Sequence, residues 1–284
     1  MQQYPQGYMP PVQQVVPVQQ VVPIQPITMF GLQCVFIQDP MIELANSVKA
    51  VIHQQIEVFE MLSGCETPNR YHVFVQNAQG YNQYLFKCKE ESGWCMRNCC
   101  PSSGREFSMK LKHINAATQI KSNDFLNVYA TLFKPFKCTC CCLARPELLL
   151  SLNGHEQQYV GKVKEEFTCC DPLFTIKDGN GNPVYSVKCD CCQCGFCCRK
   201  NFCGKISEVK FFIYDLNNCV QPAGTIVKMR AQNVGQLITD ADSYEVLFPA
   251  NATPQQKFSL ICCALMIDYQ YFEETGSGQS NNNN

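Results

Sequence analysis

The chain has 284 residues, 46% of them hydrophobic, and its 23 basic and 24 acidic side chains leave a net charge of −1. That length and apolar content suffice for one sizeable core. The near-zero charge excludes a whole-molecule field that would gather nucleic acid or an anionic membrane surface, so no nucleic-acid partner is expected. Any membrane attraction must come from local patches or attached lipid chains.

Residues 1–28 are rich in Gln, Pro and Val, with a six-residue echo in Val12–Pro17 and Val18–Pro23. Without a patterned apolar face this stretch reads as a disordered or polyproline-like arm over 1–30. Within it, Pro23-Ile-Gln-Pro26 has the PxxP form read by SH3-type grooves, a match that is common by chance in such tracts. No charged side chain precedes Asp39, so the basic and apolar regions of a secretory signal are missing. The expectation is a reducing, cytosol-facing compartment. There, 22 cysteines mean metal, lipid attachment or redox chemistry rather than disulfide staples.

Apolar residues at Met41/Ile42, Leu44/Ala45, Val48 and Val51/Ile52 recur at three- and four-residue steps, which predicts an amphipathic helix over 41–53. Short β-rich runs follow, separated by turn signals. They are Tyr71–Gln76, Tyr84–Lys87, Phe107–Lys112, Glu147–Leu152, Phe174–Lys177, Val184–Lys188 and Glu208–Tyr214.

Two of these regions repeat. "YHVFVQNAQGYNQYLFKC" ends at Cys88 and "PLFTIKDGNGNPVYSVKC" at Cys189, a constant offset of 101 residues. That offset matches Asn77 with Asp178, Gly80 with Gly181 and Tyr84 with Tyr185. Each copy runs strand, Asn/Asp–Gly turn, strand, cysteine cluster. Two β-rich halves, over about 56–150 and 151–250, predict a mainly β fold: one closed, pseudo-symmetric antiparallel barrel without exposed edges.

The run Phe258–Phe272 is apolar nearly all round, as a fully buried helix is. As a helix it rises about 22 Å, short of the roughly 30 Å hydrocarbon core, and it would carry Asp268 into the bilayer. Geometry favours a helix packed within the protein, threading the barrel. Membrane insertion stays open, because Lys257 precedes the run and no Lys or Arg follows it. Gly276–Asn284 reads as a disordered polar tail.

Ordered motifs in this chain resemble those of the phospholipid scramblase family. They are "VIHQQIEVFEMLSGCETPNRY" (Val51–Tyr71), "WCMRNCC" (Trp94–Cys100) followed by Phe107, "CTCCC" (Cys138–Cys142), "TDADSYEVLFP" and "LICCALMIDYQYFEETG". The resemblance implies a Tubby-like barrel over 31–275, with a buried C-terminal helix at 257–273 to which Phe258, Leu260, Ile261, Leu265, Ile267 and Asp268 belong. It also implies calcium-responsive movement of phospholipids between leaflets, and acylated cysteines that hold the protein to the cytoplasmic face of the plasma membrane.

By that resemblance Cys138, Cys140, Cys141 and Cys142 are the palmitoylation sites, and Lys134 and Lys137 would hold them near anionic headgroups. Small buried residues at strand ends are the blander reading. A third cluster contains Cys189-x-x-Cys192 and Cys194-x-x-Cys197, the ligand spacing of a zinc site, but with its two halves almost adjacent. His53, His72, His113 and His155 are scattered and read as structural.

Numbered as a twelve-residue calcium loop from Asp240, the ligands would be Asp240, Asp242, Tyr244, the Val246 carbonyl, Phe248 and Asn251. As an EF-hand this fails, with Tyr at the fifth position, an apolar ninth and a neutral twelfth. A weak calcium site on Asp240 and Asp242 stays open beside an acidic turn before a strand. No nucleophile elbow, P-loop or nucleotide fingerprint occurs, which suits lipid movement without covalent chemistry. The alternative is a palmitoyl-anchored adaptor that uses the same barrel to bind lipid or protein without scrambling.

Overall fold

A computed structural model describes residues 27–29, 32–36, 39–55, 68–94, 104–115, 128–137, 144–153, 157–198, 207–217, 220–229 and 243–273. Of the arm expected over 1–30, residues 1–26 lie outside the described residues while Ile27–Met29 is strand, and the tail over 276–284 also lies outside them.

Strands form where β-branched and aromatic residues alternate with polar ones, since that period sends every second side chain to one face. They are β1 (Ile27–Met29), β2 (Leu32–Phe36), β3 (Ser47–Gln55), β4 (Arg70–Asn77), β5 (Asn82–Glu91), β6 (Phe107–His113) and β7 (Ala130–Lys134). The second half contributes β8 (Glu147–Asn153), β9 (Gln157–Glu165), β10 (Leu173–Asp178), β11 (Pro183–Cys189), β12 (Val209–Asp215), β13 (Gly224–Lys228) and β14 (Ser243–Leu247). Three helices accompany them: α1 (Pro40–Asn46), α2 (Cys194–Cys197) and α3 (Pro254–Ile267), the last continued by a π-helical turn over Asp268–Phe272.

Strands β3 to β14 pair in order, each antiparallel to the next, and the ring is complete because β14 returns to β3 and the β5–β6 step is also paired. β14 pairs with β3 (Tyr244 opposite Ile52) and β5 with β6 (Cys88 opposite Leu111). The result is a closed twelve-stranded barrel. β2 runs parallel to the first residues of β5, from Cys34 opposite Asn82, before β5 turns its remaining length to β6.

The two halves carry matched turns. Asn77 Oδ1 accepts from the amides of Gln79 and Tyr81, and Asp178 Oδ1 accepts from those of Asn180 and Asn182. Gly80 and Gly181 sit at φ 86° and 85°, where only a residue without a Cβ rests without strain. The repeat is therefore structural: β4–β5 and β10–β11 lie half a turn of the ring apart.

The helix expected over 41–53 is half right. Asp39 caps α1 through the Met41 amide, with Pro40 in the first turn, but the helix stops at Asn46 and Ser47–Gln55 is strand. Of the apolar residues in β3 that suggested the helix, only Ile52 turns inward, while Val48 is exposed and Val51 half-buried. Pairing with β4 on one side and β14 on the other decides it. β1, β2, β7, β9 and β13, short or polar, had no counterpart among the runs read from sequence.

Helix α3 fills the barrel. Every residue from Lys257 to Ile267 is buried, packed against inward residues such as Phe86, Leu150, Val163 and Val246. It begins earlier than its apolar run. Thr253 and Gln256 form a capping box, and Pro254 takes the first helical position. No helix among the described residues is long and apolar enough to cross a membrane.

Candidate functional site

Strict antiparallel order sorts the connections between strands to two ends of the barrel. β3–β4, β5–β6, β7–β8, β9–β10, β11–β12 and β13–β14 all leave from one end. Those connections carry most of the 22 cysteines, including Cys138, Cys140, Cys141 and Cys142, which lie outside the described residues. The hairpin turns at Gly80 and Gly181 are at the other end, where α3 enters. Its C-terminal turn therefore emerges at the cysteine end.

A buried polar cluster closes that end. Tyr71 from β4 and Tyr244 from β14 donate to the two oxygens of the Asp268 carboxylate, at 2.6 and 2.7 Å. Arg105, fully buried, reaches the Tyr269 hydroxyl at 2.6 Å and ion-pairs with Glu273, with Glu90 at 3.8 Å. Burial alone would lower the Arg105 pKa, but Glu273, Tyr269 and Glu90 together raise it, so the guanidinium stays charged. Asn69 ties the same carboxylates to β4, its side-chain amide donating to Glu273 at 2.7 Å and its backbone amide to Glu90 at 3.0 Å. On the opposite wall Glu165 receives the Tyr271 hydroxyl and Arg145. Burial first, then neighbouring carboxylates, push the Tyr71 and Tyr269 hydroxyls well up, so both remain donors.

Lys257 serves the other end of α3. Its ammonium donates to the carbonyls of Leu44, Ala45 and Ser47 at 2.8, 3.0 and 2.7 Å, where α1 runs out of amides. A lysine that reads as the flank of a membrane segment is in fact a helix-end clamp inside the protein.

Of the helix residues singled out by sequence, Phe258, Leu260, Ile261, Leu265, Ile267 and Asp268 are all buried. Cys262 and Cys263 are buried beside them, and burial pushes both thiols up, as for inert small core residues.

The calcium set divides. Asp240 and Asp242 belong to the β13–β14 connection and lie outside the described residues. Tyr244 and Val246 face inward on β14, the Tyr244 hydroxyl already engaged by Asp268. Phe248 is buried with Lys257 over its ring at 5.6 Å, and Asn251 is exposed.

The basic pair ahead of Cys138 needs correction. Lys134 is fully buried and donates to the Arg105 carbonyl at 2.7 Å, while Lys137 pairs with Glu147 at 2.8 Å. Burial, then the Arg105 charge, bring the Lys134 pKa down to about 8. Lys134 therefore holds a loop and meets no headgroup.

Large apolar side chains are exposed at the same end. Trp94, Phe136 and Phe167, from the β5–β6, β7–β8 and β9–β10 connections, are each more than half exposed at the cysteine end.

Sequence reasoning missed Arg105, Glu90, Glu165 and Tyr71. Tyr71, Glu90 and Glu165 lie at the ends of β4, β5 and β9 and Arg105 just before β6, and nothing local tells an inward polar group from a solvated one. Asp268, alone within an apolar helix, was the one legible member.

A family model described as Scramblase matches residues 31–274. The chain is 28% identical over 234 residues to phospholipid scramblase 1 of Mus musculus, covering 82% of this chain and 64% of that protein. It is 27% identical over 237 residues to phospholipid scramblase 2 of Homo sapiens, covering 83% of this chain and 71% of that protein. Phospholipid scramblase family member 5 of Homo sapiens is 25% identical over 228 residues, covering 80% and 75%. The chain thus spans just under two thirds of the mouse protein's length. With that match running from before β2 to the end of the π-helical turn, through the barrel and the helix that fills it, the chain belongs to the scramblase family.

Proposed function

We propose that this protein is a phospholipid scramblase that lets phospholipids pass both ways between membrane leaflets, without ATP or covalent chemistry, in response to calcium. It works from the cytoplasmic face of the plasma membrane, held by acyl chains on Cys138, Cys140, Cys141 and Cys142. The observation that carries this reading is the placing of Trp94, Phe136 and Phe167 on three separate connections at the end from which the cysteine-bearing connections leave. Tryptophan and phenylalanine settle at the headgroup boundary, and several acyl chains together give anchoring that one cannot.

Seated on that end, the barrel stands with its strands at an angle to the bilayer plane and its polar cluster near the headgroups. Its interior is filled by α3 and inward strand residues, so lipid does not pass through the barrel. The path runs along the outer wall, where the rim aromatics disturb headgroup packing. Calcium would bind Asp240 and Asp242 weakly, since affinity follows ligand charge and site rigidity. A PxxP contact through Pro23–Pro26 would add an SH3-type partner.

The test is transfer of a labelled phospholipid across liposomes holding the acylated chain, with and without calcium. Transfer that rises with calcium, and loses that rise in Asp240→Asn/Asp242→Asn, supports the reading. Stable liposome binding with no transfer in either condition would make the protein an anchored adaptor instead. Replacing Cys138, Cys140, Cys141 and Cys142 by Ala, or cleaving thioesters with hydroxylamine, should release the protein to the soluble fraction. Retention after both treatments would overturn acyl anchoring.

A further inference from the structure

We propose that the connection after β11 is a binding site for a thiophilic d¹⁰ ion of the zinc class, held by Asp190, Cys191 and Cys192 with Cys197 completing the set. This does not depend on the scramblase reading.

The donor atoms of Asp190, Cys191 and Cys192 all lie within 4.8 Å of one another. Zinc–thiolate bonds of about 2.3 Å in a tetrahedron set sulfurs about 3.8 Å apart, so a small contraction closes the group on an ion. Cys197 returns to the same place across α2, its thiol donating to the Cys191 carbonyl. The pairs at zinc-like spacing do not supply the ligands as sequence arranged them. Cys189 is buried at the end of β11, its thiol donating to the Asp190 carbonyl, and is unsuited as a ligand.

The loop is built rather than slack. The Gln193 side chain imitates a strand, donating to the Lys210 carbonyl at 2.8 Å and accepting from the Lys210 amide at 2.7 Å. Asp171, from the β9–β10 connection, accepts from the Cys191 amide at 3.0 Å. Gly195 leaves no room for a Cβ, which would lie 2.7 Å from the Ser207 carbonyl oxygen. Phe196 packs against Phe211, Tyr271 and Phe272, fixing the loop to the end of the central helix. Gln193, Gly195 and Phe196 thus anchor the chain while the thiols between and beside them are turned to solvent.

The electrostatics point the same way. Asp190 sits among the thiols, and Asp171 accepts from the Cys191 amide beside them. A divalent ion answers the negative charge gathered there. Each thiol ligand gives its proton to solvent as its metal–sulfur bond forms, so binding tightens with rising pH. An acyl chain needs one reachable thiol and gains nothing from Asp190 or Asp171, whose charges an anionic bilayer repels. The carboxylates therefore argue for an ion at this cluster.

The experiment is a Zn²⁺ titration of the full reduced chain against a chromophoric chelator, repeated with Cd²⁺ to read the thiolate charge-transfer band. Wild type should bind an equivalent that Cys191→Ser/Cys192→Ser loses. Asp190→Asn should weaken it more than about tenfold, the scale on which even outer partners count. The variant with Ser at 138, 140, 141 and 142 should keep it. Circular dichroism reports that each variant is folded, which the exposed position of these residues favours. No binding by wild type, unchanged binding in Cys191→Ser/Cys192→Ser, or loss of the equivalent in the 138–142 variant would each overturn the site.

Discussion

The Tyr71 hydroxyl lies 2.6 Å from the Asp268 carboxylate, joining the first residues of β4 to the end of a helix 197 positions later. With Tyr244 on the other oxygen at 2.7 Å, the barrel wall grips the only acidic side chain buried within the α3 run. Tyr71→Phe or Tyr244→Phe should each cost about 1–3 kcal/mol, because a buried carboxylate loses a donor that water cannot replace. The double variant should depart from additivity, since the remaining donor becomes the sole one. Urea unfolding checks this, and midpoints unchanged in both single variants would show that the grip contributes nothing.

Lys257→Met keeps the aliphatic stem and removes the ammonium that three carbonyls share. The expected loss is about 1.5–3 kcal/mol, as for hydrogen bonds to a charged group. Thermal unfolding measures it. Faster amide exchange confined to α1 and the start of β3 would locate the damage where the structure puts the clamp.

Acid should destabilise the barrel through His72. Burial, then the charges of Lys87, His53 and Arg70, bring its pKa from 6.5 down to about 4. Its Nε2 faces Gln55 Oε1 at 2.9 Å and its Nδ1 faces the Tyr84 hydroxyl, which suits the neutral ring. The unfolded chain takes up the proton near 6.5 and the folded one only near 4. Stability is therefore complete above 6.5 and falls as pH drops through that window, by up to about 3 kcal/mol. His72→Gln should flatten the unfolding midpoint between pH 6.5 and 4, and an unchanged slope would place the acid sensitivity in another group.

Gly80→Ala and Gly181→Ala form a matched pair. A Cβ at either meets nothing within 4 Å, so only the positive φ resists it. Each should cost about 1–2 kcal/mol, and the two values should agree, because the turns share one geometry at equivalent places in the ring. A large difference in unfolding free energy would mean that the two halves, alike in backbone, differ in how firmly they are held.

The repeat, the strand period and the apolar C-terminal run were legible in the chain itself, because each is a local pattern. Asn77 and Asp178 with their glycines announce turns wherever they occur, and the unbroken apolar or small run from Phe258 to Ile267 announces burial. The boundary between α1 and β3 was not legible. Its apolar residues recur at helical steps, and only the ladders to β4 and β14 set Ser47–Gln55 in a strand. The capping box at Thr253 and Gln256 was readable and would have placed the start of α3 correctly.

Charge was the property that local pattern could not interpret. Lys134 and Lys257 look alike in sequence, as cations beside apolar or cysteine-rich stretches that suggest a membrane face. Both turn inward and spend their protons on carbonyls, the first on Arg105 and the second on the end of α1. Arg105, which no sequence pattern singled out, becomes the centre of the cluster beneath the cysteine end. Composition and periodicity determined that this chain closes a β-barrel and buries its last helix, since burial of apolar surface depends on spacing along the chain. Which ionic groups enter that interior, and that the connections bearing most cysteines leave from the end with three exposed aromatics, was decided by strand order, because closure pairs residues as far apart in the chain as Lys49 and Leu247.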